Sequence, residues 1–216
     1  MRKRKRVNKI KPIIFSTQMV QAILDGRKSQ TRRVVNPQPG AETNGQGYYF
    51  HRFKKTEHKR MYSPTEFCEK ALEHAKYKIG DILYVKETFS PIYDHCDPTI
   101  AKVGAYQYRA CVESDATKWR PSIHMPREAA RLFLRVTGVR VERLQEISET
   151  DARAEGFIAT VRHKTVNGKL YNGSTTAREE FIQLWDSLNT KRGYGWDSNC
   201  WVWVYEFETV CEEELL

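Results

Sequence analysis

No two cysteines in this 216-residue chain are spaced as CxxC. The five that occur, at positions 68, 96, 111, 200 and 211, are odd in number and scattered. That pattern argues against a disulfide framework or a zinc knuckle, and for a reducing, cytoplasmic setting. Long apolar runs are missing too. None approaches the roughly 18 residues that a membrane span needs, so no membrane partner is expected. The basic start MRKRKRVNKIKP has no apolar stretch behind it, and no secretory signal is expected. Internal repeats and low-complexity segments are absent, which leaves one mixed chain. Acid is scarcer than base: 27 Asp and Glu face 36 Lys and Arg, a net charge of +9. That balance favours a polyanionic partner, nucleic acid first and an anionic membrane surface second.

What is present reads as an ordinary globular chain, 40% hydrophobic and 29% charged, long enough for one domain with a real core plus insertions. Residues 1–11 form a basic tail, either solvated or a nucleic-acid arm, and 12–216 a single domain with insertions at about 36–78 and 90–118. IIFSTQMVQAILDG predicts a short strand and then a helix capped by Ser16 or Thr17, with Met19, Val20, Ile23 and Leu24 as its apolar stripe and Gly26 as the left-handed stop. TRRVV starts a strand that NPQPG ends. The first insertion carries one helix near Thr65 to Ala75. IGDILYVKETF alternates, with Ile82, Tyr84 and Lys86 on one face and Leu83, Val85 and Glu87 on the other. The second insertion holds one strand, AYQYRACV.

Beyond a stiff PSIHMPR segment, the chain from Arg131 reads as a strand rich in Val and Leu. SETDARAEGF is a compact helix with Ser148 as N-cap, Glu149 and Asp151 in its first turn and Gly156 as its stop. TAREEFIQLWDSLN is the clearest helix, with Phe181, Ile182, Leu184, Trp185 and Leu188 on its buried stripe. NCWVWVYEFE closes the chain as a strictly alternating strand. Short strands with a few helices predict an α+β fold around a small, partly closed β-barrel.

One stretch does not read as a solvated charge run. LDGRKSQTRRV gathers Arg27, Lys28, Arg32 and Arg33 around Ser29, Gln30 and Thr31. Cations interleaved with hydroxyl and amide groups suit an anion site, or a site that activates a hydroxyl. DHCD at 94–97 has ligand-type side chains but no spaced second pair, and is read as a loop rather than a metal site.

LDGRKSQTRR, GDILYVKETF, PSIHMPREAARLFLRVTGVRVERLQEISETDARAEGF and FIQLWDSLN…GYGWDSNCWVWVYEFE together resemble the ASCH-domain proteins, in their phage-encoded branch. These segments cover about half of the chain in the right order. The resemblance implies a PUA-like β-barrel with a cleft for RNA or a nucleobase. Members of the family are RNA-associated; a bacterial branch hydrolyses N4-acetylcytidine, and another member is a ribonuclease. The phage branch is often labelled morphogenetic, for which these residues give no support. Two departures stand out. Related phage sequences read NPWVWV where this one reads NCWVWV, so Cys200 restores a backbone N–H that proline would lack. The amidohydrolase branch is also far shorter, lacking the insertions.

The family motif Gly-x-Lys-x-x-Thr-x-Arg falls on Gly26, Lys28, Thr31 and Arg33. The resemblance implies a catalytic set of Lys28, Thr31 and Glu155, the last matched by local pattern on the short helix. Amide hydrolysis needs a nucleophile, a base to activate it and an acid for the leaving amine. Thr31 as nucleophile requires a neutral Lys28 beside it, or Glu155 as base; desolvation and neighbouring cations both lower a lysine pKa. Alternatively Lys28 stays charged and steadies an oxyanion or a phosphate. The bland alternatives are that Lys28 is a solvated loop residue, that Thr31 only opens a strand and that Glu155 sits on the surface.

Arg27, Arg33, His124, Arg127 and Trp196 complete the set of candidate binding residues, with Gly26 at its turn. Trp185 belongs to a helical core stripe, and Trp201 and Trp203 share one strand face as core or barrel wall. Trp196, in GYGWDSN, either stacks on a base or packs its own loop. His124 and Arg127 touch a nucleobase or phosphate, or His124 is a core histidine. Three functions remain open: a hydrolase acting on an acylated nucleoside or on RNA, a non-catalytic RNA or modified-base binding module, and a phage assembly factor. No cofactor is expected, except a divalent metal if the chain is a ribonuclease.

Overall fold

The computed structural model describes residues 10–41, 49–51, 60–93, 101–112, 118–166, 169–211 and 214. In chain order the elements are β1 (Ile10–Ile14), α1 (Thr17–Leu24), β2 (Gln30–Val34), β3 (Gly40–Ala41), β4 (Tyr49–His51), β5 (Arg60–Tyr62), α2 (Pro64–His74), β6 (Ile82–Lys86), β7 (Phe89–Tyr93) and β8 (Ala101–Tyr108). There follow two 3₁₀ turns (Ser122–His124 and Arg127–Ala129), β9 (Phe133–Arg143), α3 (Glu149–Ala154), β10 (Thr160–Val166), β11 (Lys169–Thr175), α4 (Ala177–Asn189) and β12 (Trp201–Val210). The principal sheet has five strands in the order β1-β6-β9-β12-β2. The fold is therefore mixed α+β. Closure of this sheet into a barrel is not seen among the described residues.

The chain divides into two compact units. The first holds residues up to Arg27, Ile79–Thr137 and Phe207 onward. Here β1 runs parallel to β6, from Ile10↔Ile82 to Ile14↔Lys86, and β6 runs antiparallel to β9. An inner strand is covered on both sides, so Ile82, Leu83 and Val85 are all buried despite pointing to alternate faces. Glu87 is buried as well, and the Arg131 guanidinium donates to both its carboxylate oxygens at 2.9 and 3.0 Å. The Ser16 hydroxyl caps α1, and Gly26 takes φ 71°, the left-handed turn that lets the helix stop. Its buried face is Val20, Ala22 and Ile23, whereas Met19 is half-buried and Leu24 exposed. This corrects the expected stripe, which included Met19 and Leu24 and lacked Ala22.

Three further expectations change in this unit. Ile10 and Lys11 belong to β1 rather than to the basic tail, and residues 1–9 lie outside the described residues. The strand expected at AYQYRACV begins earlier, at Ala101, and ends at Tyr108, because it pairs with β7 from Phe89↔Tyr108. β7 itself escaped notice because Pro91 breaks the strand pattern. PSIHMPR folds into the two 3₁₀ turns, each entered directly after a proline with its fixed φ.

The second unit holds Lys28–Lys78 and Gly138–Glu206. β2 pairs antiparallel with β12, from Gln30↔Glu206 to Val34↔Val202. Val202 and Val204 pack in one cluster with Leu144 and Ile147, with Ala152 of α3 and with Phe181 and Trp185 of α4. Ser148 and Asp151 cap α3 reciprocally, as Thr176 and Glu179 cap α4. The Glu149 carboxylate accepts the backbone N–H groups of Ala177 and Arg178, two of the donors that an α-helix leaves open at its start. Leu188, expected inside, is 57% exposed. The polar Asn189 is buried instead, its amide donating to the Trp185 carbonyl at 3.1 Å.

A second cluster joins Val35, Phe67, Ala71 and Trp201. It rests on α2, which starts at Pro64 behind a Ser63–Glu66 capping box, close to the helix expected from Thr65. The first insertion also carries a three-stranded β3-β4-β5 sheet, and residues 160–175 a β10–β11 hairpin; both went unread in the sequence. β12 does not alternate strictly in burial: Trp201, Val202, Val204, Tyr205 and Phe207 are all buried, because it too is an inner strand.

Candidate functional site

Strand alternation divides the basic cluster in two. Gln30 and Arg32 point to one face of β2, with Lys28 in phase with them. Thr31 and Arg33 point to the other, opposite Tyr205 and Trp203 of β12. Lys28 precedes the strand in an isolated antiparallel bridge to Glu155.

On the first face the charges close on one another. Glu155 caps the C-terminus of α3, and Gly156 at φ 96° turns the chain away behind it. The Ser29 N–H donates to the Ala154 carbonyl at 2.8 Å, which brings the two segments together. Lys28 Nζ then donates to the Gln30 carbonyl (2.8 Å), the Glu155 carbonyl (2.8 Å) and Glu155 Oε2 (2.7 Å). All three hydrogens of an ammonium are thereby directed at acceptors. The two side chains are 0% and 3% exposed. Arg32 donates to Glu155 Oε1 (3.3 Å), to Gln30 Oε1 (3.0 Å) and twice to Glu142 Oε1 (3.0 and 2.6 Å). Arg140 continues the network to Glu142, Asp151 and Glu206.

Burial pushes the Lys28 ammonium below its usual range, and the Glu155 carboxylate opposes that shift. Arg33 and Arg32 add to it, as expected for a lysine among cations, while Arg27 pairs with Asp25 at 2.7 Å on the surface. Glu155 is not a surface residue, and Lys28 is not a solvated one. A buried pair of this kind is costly to break, because either partner alone is an uncompensated charge.

Thr31 is 1% exposed, and its hydroxyl has no hydrogen-bond partner among the described residues. It is thus out of hydrogen-bonding reach of both Lys28 and Glu155. Of the expected catalytic set, the fold brings Lys28 and Glu155 together and leaves Thr31 apart on the other face of β2.

On the second face lies a cavity of about 310 Å³. Arg33, Val34, Val35, Asn36, Pro37, His74, Lys76, Tyr77, Trp203 and Tyr205 line it. Tyr77 and Tyr205 meet edge to face, with ring centroids 5.0 Å apart, and Lys76 Nζ stands 5.0 Å from the Tyr77 ring centre. Burial holds the Tyr205 phenol well above its usual value, against hydrogen bonds from the Tyr77 and Lys76 backbone that favour its ionised form. Burial also lowers the Arg33 pKa, with Glu155, Tyr77 and Tyr205 opposing; a guanidinium keeps its charge regardless. Trp203, expected as core or barrel wall, is half-buried at this cavity, while Trp201 is buried. None of the described lining residues is acidic.

No protein-family model, curated protein or solved structure matches the chain. The site therefore stands on its geometry.

The remaining candidates are placed as follows. Gly26 serves its turn. His124 and Arg127 belong to the first unit and are both exposed, so His124 is not a core histidine. Trp196 packs its own loop: the Arg178 guanidinium lies 4.8 Å from its ring centre, its N–H donates to Asp186, and its carbonyl accepts from Gln145. Cys68, Cys111, Cys200 and Cys211 are free thiols. Among the described residues no three His, Cys, Asp or Glu side chains gather where a metal ion would sit; 94–97 lie outside them. No helix among them is long and apolar enough to cross a membrane. Sequence reading missed His74, Lys76, Tyr77 and Tyr205. The alternation of Trp203 and Tyr205 with Val202 and Val204 was a usable signal. Tyr77 sits in an insertion, where no period marks it.

Proposed function

We propose that the chain is an ASCH-type protein of the phage-encoded branch, its five-stranded sheet the open form of that family's barrel, and that it engages RNA or a modified nucleoside as a binding module in the host cytoplasm. One observation carries this reading: the 310 Å³ cavity is walled by Tyr77, Trp203 and Tyr205 and flanked by Arg33, Lys76 and His74. Aromatic faces stack on bases of any sequence, and cations hold the phosphates. The net charge of +9 gives the same partner a long-range attraction. An assembly role would leave the cavity without a purpose.

Hydrolysis of an acylated nucleoside or of RNA is the second reading, and the Lys28–Glu155 contact favours it, since the family pattern puts both in one catalytic set. The Thr31 hydroxyl weighs the other way. A hydroxyl needs a base within about 2.6–3.2 Å to become a nucleophile, and Lys28 holds its hydrogens toward other acceptors. The deciding experiment incubates the protein with total RNA and with acylated nucleosides, with and without divalent metal, and follows both binding and products by mass spectrometry. Tight RNA binding with a log–log salt slope of about −0.7 per phosphate and no product is the expected result. Product release that Thr31→Ala abolishes establishes the hydrolase instead, and absence of RNA and nucleoside binding overturns the proposal.

A further inference from the structure

One wall of the cavity is held by the core only at its near end. Val35, Asn36 and Pro37 form this wall where the chain leaves β2. Val35 is buried with Phe67, Ala71 and Trp201, but Asn36 and Pro37 are exposed. The β2–β12 pairing also runs out here. Val34↔Val202 is its last registered pair, and the Val35 N–H still donates to the Trp201 carbonyl at 3.0 Å. Pro37 then has no N–H with which to go on. An exposed segment past the end of a ladder opens easily, since neither packing nor a row of backbone bonds opposes it.

A side chain takes over where the backbone stops. Gln38 Oε1 accepts the Trp201 N–H at 2.8 Å, and Gln38 Nε2 donates to the Trp201 carbonyl at 2.9 Å and to the Val35 carbonyl at 2.5 Å. The amide gives Trp201 what a further residue of a paired strand would give, an acceptor and a donor together. Its orientation is fixed, because turning it over would set the oxygen against two carbonyls and the NH₂ against a backbone N–H. The bond back to Val35 spans the turn, with Asn36 and Pro37 at its outer edge. The Trp201 ring in turn meets Phe67 of α2, ring centroids 5.0 Å apart, and the end of α2 leads through His74 and Lys76 to Tyr77 on another wall. One residue of β12 therefore stands behind both walls.

We infer that Gln38, which is not among the residues lining the cavity, is a positioning residue for it: its amide holds the Val35–Pro37 wall against β12 in the arrangement that receives RNA or a nucleoside. The inference rests on the RNA reading above and names what keeps that site formed. Gln38 needs no contact with the ligand to do this. A wall in place only part of the time lowers the apparent affinity in proportion to that fraction.

Titrations of the full chain with a labelled short oligoribonucleotide and with the four common ribonucleosides, at fixed salt, test this. They are run at a temperature where circular dichroism shows each protein folded. Gln38→Met keeps the length of the side chain and removes all three hydrogen bonds, and affinity falls about fivefold or more. Gln38→Glu keeps an acceptor for the Trp201 N–H, but at neutral pH it turns a carboxylate oxygen toward two carbonyls, and affinity falls here too. An unperturbed glutamate titrates near about 4.3, and carbonyls facing its charge raise that value. Between pH 7.5 and about pH 5 the carboxyl therefore gains a proton to donate, and the affinity of Gln38→Glu relative to wild type at the same pH climbs back. The same ratio for Gln38→Met stays flat. His74 and the other cavity groups are common to all three proteins and cancel in the ratio. The pH-dependent ratio of Gln38→Glu decides even if Gln38→Met fails to fold. Wild-type affinity in Gln38→Met, or a Gln38→Glu ratio that does not move with pH, overturns the inference and leaves RNA binding standing. A wild-type chain that binds neither RNA nor any nucleoside overturns the wider reading as well.

Discussion

The two faces of β2 carry the same kinds of side chain and end in opposite states. Beneath it, Lys28 and Arg32 are each matched by carboxylates and closed off from solvent. Above it, Arg33 faces a cavity with aromatic walls. A basic cluster in a sequence therefore says little about what each of its cations meets in the fold. What decides is the partner that the fold carries to each face: α3 brings Glu155 to one, and the residues after α2 bring Lys76 and Tyr77 to the other.

The contrast is broken most violently at Glu155. Glu155→Ala leaves Lys28 and Arg32 buried with reduced compensation, and loses about 3–5 kcal/mol of folding stability by urea denaturation. The double change Lys28→Met with Glu155→Leu recovers a large part of that loss, since the unpaired charge goes with its partner. A loss no larger than that of an average surface substitution would show that the closed face is not closed.

On the open face the effect belongs to binding. Trp203→Ala weakens RNA or nucleotide affinity by about 1–3 kcal/mol, the range for one lost stacked base, and destabilises the fold less than Glu155→Ala does. An unaltered affinity, measured by fluorescence anisotropy with labelled RNA, would remove the cavity from the binding site.

Smaller still is Thr31→Val. The hydroxyl is buried with no partner among the described residues, so a methyl of the same shape leaves stability unchanged or raises it by up to about 1 kcal/mol. RNA affinity stays as it was. A clear loss of stability in the same denaturation assay would mean that the hydroxyl has a partner after all.

The slightest effect is set by pH. Burial raises the Asp151 carboxyl, but hydrogen bonds from Ser148 and Gln30 and the Arg32 charge outweigh it and hold the pKa below the usual aspartate value. A carboxyl depressed in the folded state adds stability that is complete above its unfolded value, near 4, and is lost as pH falls through the folded one. Thermal melts across that acid range show a decline that Asp151→Asn flattens, and an identical decline in the variant would assign the acid sensitivity elsewhere.

How much of this could be read beforehand depended on how local the cause was. Helix caps are local, and Ser16, Ser148 and Gly26 stand where their residue types predict. The Lys28–Glu155 pairing was suggested by family pattern, and the geometry brings the two together. Placing Thr31 and Arg33 in the same pocket as Lys28 failed for a simple reason. Positions 28 and 31 differ by an odd number, so an extended backbone sends them to opposite faces. The β10–β11 hairpin had an audible signal in Asn167-Gly168 between two polar, β-branched runs. The cavity had only the alternation of Trp203 and Tyr205, because its walls come from β2, β12 and the end of the first insertion, and only their pairing assembles it.

At six residues, α3 is too short to persist as an isolated helix in water. Yet Glu149 fastens its beginning to α4, Asp151 ties its middle to Arg140 and Gln30, and Glu155 fixes its end to Lys28 and Arg32. Its opening is thus bound to that of its neighbours. In hydrogen–deuterium exchange the α3 amides share the protection of β2 and of the first turn of α4, and the three segments let solvent in together as one cooperative unit.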